Sequence, residues 1–222
     1  VTLSIPELGL RQAIEADTDG SVPFAIEARP ELWAPGSPRL YDVELSFGDD
    51  TVRDRVGFRT VEAVGTDILL NGKPVFLRGI SLHEEAPGGG RAWSEAHART
   101  LLGWARELGA NFVRLAHYPH NEAMVRMADE LGLLVWSEVP VYWTIDFDDP
   151  AVYAKAESQL SEMITRDRNR GSVVLWSVAN ETPAHTARTA FLTRLANRAR
   201  ELDSTRLITA ALDTQRDVGG AR

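Results

Sequence analysis

Residues Leu175–Thr182 read LWSVANET. They close a longer apolar run, SVVLWSVAN, that stops abruptly on an amide beside a carboxylate, Asn180 and Glu181. A continuous apolar run of this length is the signature of a strand covered on both faces, as in parallel sheets flanked by helices. In such folds chemistry collects beyond the carboxyl ends of the strands. The stretch therefore points both to an architecture and to the place where a site should lie.

Working outward, the same rhythm repeats. VFLRGIS is strand-like, and SEAHARTLLGWARELG predicts a helix capped by Ser94 and stopped by Gly109. NFVRLAH is a strand, followed by a helix from Asn121 to Gly132. LLVWSEVP is a strand, and PAVYAKAESQLSEMITRDRN a long helix with Pro150 in its first turn. After SVVLWSVAN come a helix over AHTARTAFLTRLANRARELD and a fifth strand, RLITAAL. Strand–helix alternation implies parallel pairing with right-handed crossovers. Five such strands fit an open doubly wound sheet or part of a (β/α)8 barrel. No G-x-G-x-x-G follows any strand, which disfavours a dinucleotide fold.

Upstream the rhythm is different. VPFAIEARP and YDVELSF place apolar side chains at every second position, the period of a half-buried strand. WAPGSP between them reads as a loop, and DDTVRDRVGFRTVEA as a hairpin turn and a final strand. Residues 1–62 are therefore expected to form part of a β-sandwich, and residues 63–222 the βα units. DILLNGKPV predicts a small hairpin turning at Asn71–Gly72.

Composition narrows the function. A net charge of −8 argues against nucleic acid as a partner. No apolar run is long enough to span a bilayer, so no membrane partner is expected. The absence of cysteine excludes disulfides and thiolate metal sites. The chain opens at Val1 with neither an initiator Met nor a leader pattern and reads as a processed or excised piece, from which localisation is not legible.

The polar residues gather at the strand ends. The first strand runs into His83, Glu84 and Glu85; the second into His117, Tyr118 and His120; the third into Glu138, Tyr142 and Trp143; the fourth into Asn180 and Glu181; the fifth ends near Asp213. Carboxylates, imidazoles and aromatic rings without a phosphate loop suit sugar hydrolysis. Glu181, expected among apolar strand neighbours that would raise its pKa, could protonate a leaving oxygen. Asn180 could hold a ring hydroxyl, and Tyr142 and Trp143 could face the sugar.

These segments resemble glycoside hydrolase family 2. RDRNRGSVVLWSVANE (Arg166–Glu181) is similar to that family's acid/base signature, and GKPVFLRGISLHEE and GANFVRLAHYPHNEAMVRMADELGLLVWSEVP to its earlier barrel segments. LWAPGSPRLYDVEL and VGFRTVE resemble its immunoglobulin-like sandwich domain and the exit into the barrel. The resemblance implies α/β architecture: the first half of a (β/α)8 barrel, four βα units and a fifth strand, preceded by an incomplete immunoglobulin-like sandwich. It implies a retaining β-galactosidase or β-glucuronidase. Glu181 would be the general acid/base and Asn180 the partner of the sugar 2-hydroxyl. His83 and His117 would line the pocket, and Glu138 would be a strand-end carboxylate of the site. Gly171 stands where the family usually has Pro.

The family's nucleophile would lie on a later strand, so this chain alone is expected to be inactive. Its half-barrel is expected to need the remainder of the barrel or another copy to cover its edges. The alternative is a non-catalytic carbohydrate-binding or scaffold protein, should the chain end naturally at residue 222. No cofactor is expected. A metal site built from His83, His117, Glu138 and Glu181, holding Mg²⁺ or Zn²⁺, is a weaker alternative, since some family members carry Mg²⁺ near the acid/base.

Overall fold

Antiparallel and parallel pairing divide the described residues (1–15, 17 and 25–213) of the computed structural model. In the first sheet, β1 (Thr2–Ile5), β2 (Leu10–Ala13), β3 (Tyr41–Phe47) and β4 (Asp50–Val56) lie in the order β2-β1-β3-β4. The alternation in YDVELSF sets Leu45 opposite both Leu3 and Val52. Leu3 is buried, whereas Phe47 and Val52 at the open end of that face are exposed.

One expected strand is missing. Val22–Phe24 of VPFAIEARP lie outside the described residues, and Ala25–Pro30 carry no strand. Ile26, Ala28 and Pro30 still share a side, where with Ile5, Leu8, Leu10 and Phe58 they line a cavity of about 310 Å³. Period-two patterning reports a shared side, whereas a strand also needs a backbone partner. Pro30 has no N–H to give, and the next N–H, of Glu31, donates to the Tyr41 hydroxyl at 2.7 Å.

A small sheet follows, of β5 (Val61–Val64), β6 (Asp67–Leu70) and β7 (Lys73–Pro74). Its β6–β7 turn is Asn71–Gly72, with φ of 53° and 73°. Two consecutive positive φ values are what a tight two-residue hairpin demands and what the Asn-Gly pair supplies.

The third sheet decides the architecture. Its five strands are β8 (Gly79–Leu82), β9 (Phe112–Leu115), β10 (Leu134–Glu138), β11 (Val173–Asn180) and β12 (Leu207–Ala211). They are all parallel and lie in strict chain order, β12-β11-β10-β9-β8. A doubly wound sheet reverses its order at a switch point. This one never does, so it is the arc of a barrel. The crossovers contain α1 (Glu95–Glu107), α2 (Glu122–Leu131), α3 (Pro150–Asp167) and α4 (Arg188–Leu202). Ser94, Asn121 and Asp149 cap the first three with side-chain oxygens. α4 starts four residues later than expected, with no side-chain cap, because His185 Nδ1 takes the Ala187 N–H within the preceding loop.

Two apolar layers result. The outward side chains of the strands pack on the helices, as with Val113, Val135, Val173 and Trp176 against Leu102, Val125, Leu160 and Leu195. On the inner side Leu134, Val174 and Leu175 pack on Trp33, Leu40 and Leu70 from the N-terminal segment and the small sheet. The expected loop WAPGSP thus supplies the fully buried Trp33 that floors the arc.

Candidate active site

The site is built upward from that floor. On β9, Phe112 belongs to the inner apolar layer, and alternation brings Arg114 to the same side two residues on. On β10 the inner positions are Leu134, Trp136 and Glu138. β11 breaks the alternation: its pairing to β12 shifts register between Ser177 and Asn180. A regular strand would turn two residues three apart to opposite faces. The irregularity lets both reach the inner side.

These residues close one network. Glu138 has no exposed surface. Its Oε1 accepts from Arg114 Nη2 at 2.8 Å, and its Oε2 accepts from Arg114 Nη2 at 2.9 Å, Trp136 Nε1 at 2.9 Å and Ser177 Oγ at 2.7 Å. A buried carboxylate is tolerated only with such pairing. Arg114 Nη2 also donates to Asn180 Oδ1 at 2.6 Å. That contact sets the polarity of the amide: with Oδ1 filled by a group that only donates, Nδ2 is the side that Asn180 can offer. His117 Nδ1 lies 2.9 Å from Glu138 Oε1. Arg114 Nη2 also lies 3.1 Å from Nδ1, but its two hydrogens are committed to Glu138 and Asn180. A lone pair facing a carboxylate at 2.9 Å would be repelled, so Nδ1 carries the proton and donates, leaving Nε2 for a ligand.

The remaining expected residues lie around this network. His83 and His117 meet edge to face at 5.1 Å between ring centroids, Tyr142 stands 6.3 Å from His117, and Trp143 packs edge to face on Tyr142 at 5.4 Å. Tyr142 bridges to Asn180, and the Trp143 N–H donates to the Asn180 carbonyl at 3.2 Å. The Ala116–His117 peptide is cis. Asn180 is buried at 2% exposure, while Glu181 is exposed. The chain turns outward there: Glu181 adopts φ 47°, and its N–H donates to the Ala211 carbonyl at 2.8 Å. The apolar cover expected around Glu181 is therefore not supplied by the described residues, because the apolar neighbours on β11 face the core.

The structure thus brings Asn180, Glu138, His117 and Tyr142 together, sets His83 and Trp143 at the rim and presents Glu181 beside them. His120, from the same strand end as His117, is instead a core residue, 1% exposed. Arg114, Trp136 and Ser177 were not singled out from the sequence. Arg114 carried a usable signal: a charge inside an apolar strand needs an opposite charge on a neighbouring strand, and Glu138 was available. Trp136 and Ser177 carried none, being ordinary strand residues.

The four residues considered for Mg²⁺ do not suit it. Both Glu138 oxygens are already taken by protein donors, and no group of three or more His, Asp or Glu among the described residues is arranged to hold a metal ion. No helix among them is long and apolar enough to cross a membrane. A cavity of about 490 Å³ lies away from the strand ends, between β3–β4 and α2. Its charged lining is consumed in ion pairs such as Arg53–Glu44 at 2.6 Å and Arg170–Asp54. It is a joint between the two parts of the fold.

The family model described as "Glycosyl hydrolases family 2, TIM barrel domain" matches residues 61–218, and the one described as "Glycosyl hydrolases family 2" matches residues 8–59. The chain is 36% identical over 191 residues to a β-galactosidase of Arthrobacter sp. (strain B7), a match that covers 82% of this chain and 19% of that protein. Among solved structures it resembles Bifidobacterium dentium β-glucuronidase complexed with coumarin-3-O-glucuronide, with a TM-score of 0.89 and 25% identity over 98% of this chain and 38% of that one. It also resembles a family 2 β-galacturonidase from Eisenbergiella tayi bound to galacturonate, with a TM-score of 0.78 and 31% identity over 85% of this chain and 36% of that one.

Proposed function

The chain belongs to glycosyl hydrolase family 2, and from that premise we propose that it carries the acid/base side of a retaining β-glycosidase site acting on terminal β-galactosides or β-glucuronides. The observation that carries the proposal is the pairing of an exposed Glu181 with an immobilised Asn180 at one strand end. A general acid must reach the glycosidic oxygen, so it has to be accessible. Its neighbour must hold the sugar in one orientation, so it has to be fixed.

Glu181 protonates the leaving oxygen and afterwards takes a proton from the attacking water. Asn180 donates through Nδ2 to a ring hydroxyl, and His117 accepts from another through Nε2. His83 and Tyr142 flank the sugar. Glu138 holds Arg114, Asn180 and His117 in place, a positioning role in keeping with its complete burial. No cofactor is assigned.

Retention needs a second carboxylate about 5–5.5 Å from the first. Glu138 does not suit that role, since its oxygens are saturated by Arg114, Trp136 and Ser177. The proposal therefore places the nucleophile outside these residues. The chain spans 19% of the Arthrobacter relative and 38% of the Bifidobacterium structure. Likewise, the open edges of the arc are to be covered by further strands or by another copy.

Glu181→Gln in the complete protein tests the assignment. Turnover of glycosides with poor leaving groups should fall by about 10²–10⁴-fold, and turnover of those with highly acidic leaving groups much less. Equal loss on both would remove Glu181 from the acid role.

A further inference from the structure

We propose that Trp143 is the leaving-group platform of this site, an indole face that stacks on the aglycone and favours flat, aromatic ones over small aliphatic ones. The inference rests on Glu181 being the acid.

The loop after β10 carries Trp143 to the right place. It keeps pairing with β11 beyond the end of β10: Val139 N–H donates to Ser177 O at 3.2 Å, Asn180 N–H to Val141 O at 2.8 Å and Trp143 N–H to Asn180 O at 3.2 Å. The indole is therefore anchored through its own backbone to the residue preceding Glu181. Exposure rises from the floor outward, from 0% at Glu138 and 2% at Asn180 to 60% at Trp143. A terminal sugar held by Asn180 and His117 sits at the inner end of this series. The bond to be broken lies at Glu181, directly after the residue to which Trp143 is anchored, which sets the indole on the side from which the aglycone leaves.

The ring itself is open and held. In the row His83, His117, Tyr142, Trp143 it stands at one end. Tyr142 meets it edge to face at 84° and can cover one indole face at most. Its backbone sits at φ 56°, a left-handed conformation that a bulky residue adopts only at a cost. A tryptophan 60% exposed recovers little of that cost through burial in the core. Strain combined with exposure is what a ligand contact would account for.

The test compares kcat/KM for the phenyl and methyl β-glycosides of one sugar, run as galactosides and as glucuronides, in the complete protein and in its Trp143→Ala and Trp143→Phe variants. Circular dichroism confirms that the variants are folded. Trp143→Ala should lower the phenyl-to-methyl ratio about fivefold, the size of one aromatic stacking contact, and Trp143→Phe should retain most of it. An unchanged ratio in Trp143→Ala overturns the platform, as does a Trp143→Phe ratio as low as that of Trp143→Ala. No turnover of any of these glycosides by the unmodified protein overturns both this inference and the glycosidase reading beneath it.

Discussion

His117 and His120 stand three residues apart yet do different work, and burial is the reason. His117 reaches the inner network. His120 turns into the core, where Nε2 pairs with the Ala116 carbonyl at 3.0 Å and Nδ1 has no partner. Burial pushes its pKa down to about 4, with the Arg166 guanidinium and His83 adding to the effect. A depressed imidazole pKa gives stability that is complete above the ordinary value of about 6.5 and is lost as pH falls towards 4. Between pH 7.5 and 5 the loss should be about 2 kcal/mol. Asp129, raised by burial to about 6, works in the opposite sense, since its contribution is present at low pH and lost as pH rises through 6. Urea midpoints of the unmodified protein and of His120→Asn across that range isolate the histidine. The curves should converge towards pH 5, and parallel curves would refute the assignment.

At the scale of elements, the helix ends set how closely the parts approach. Gly132 ends α2 at φ 70°, and a Cβ there would lie 2.5 Å from the Pro35 carbonyl oxygen. Two requirements meet at one residue: a left-handed backbone and room for the chain that carries Trp33. Gly103 within α1 has neither, since a Cβ added there would meet nothing within 4 Å. Gly132→Ala should therefore cost about 2–3 kcal/mol, whereas Gly103→Ala should add about 0.5–1 kcal/mol. Denaturant unfolding measures both, and like signs would contradict the account. Gly171 belongs to the same class of close contact: a Cβ there would lie 3.1 Å from the Gly57 carbonyl oxygen. Gly171 thus sits against the N-terminal segment, away from the strand ends.

Over the whole molecule, Trp33 is the residue that joins the two parts. It is fully buried, its indole N–H donates to the Asp129 carbonyl at 2.9 Å, and its own carbonyl accepts from Asn71 Nδ2 at 3.0 Å. Arg59 reaches the Gly171 and Val173 carbonyls, and Arg170 pairs with Asp54. The floor beneath the site is therefore made by the segment preceding the barrel. Trp33→Ala should destabilise by about 3–5 kcal/mol and expose the first sheet to protease before the barrel arc. Simultaneous cleavage of the two parts at wild-type rates would show that Trp33 does not couple them.

The sequence by itself determined what local rules control. Apolar runs placed the helices and the five parallel strands, and side-chain caps placed the starts of the first three helices. Asn71–Gly72 placed a hairpin, and the polar residues collected at the strand ends. These signals lie within a few residues of one another, so period, capping and turn chemistry are enough to read them. The tertiary structure decided what depends on distant neighbours. Strand order distinguished a barrel arc from a doubly wound sheet. The register shift in β11 aimed Ser177 and Asn180 together, and burial separated Glu138 from Glu181 and His120 from His117. It also turned WAPGSP from a surface loop into the floor. Each of these depends on which side chain meets which across more than twenty residues, and no local pattern records that.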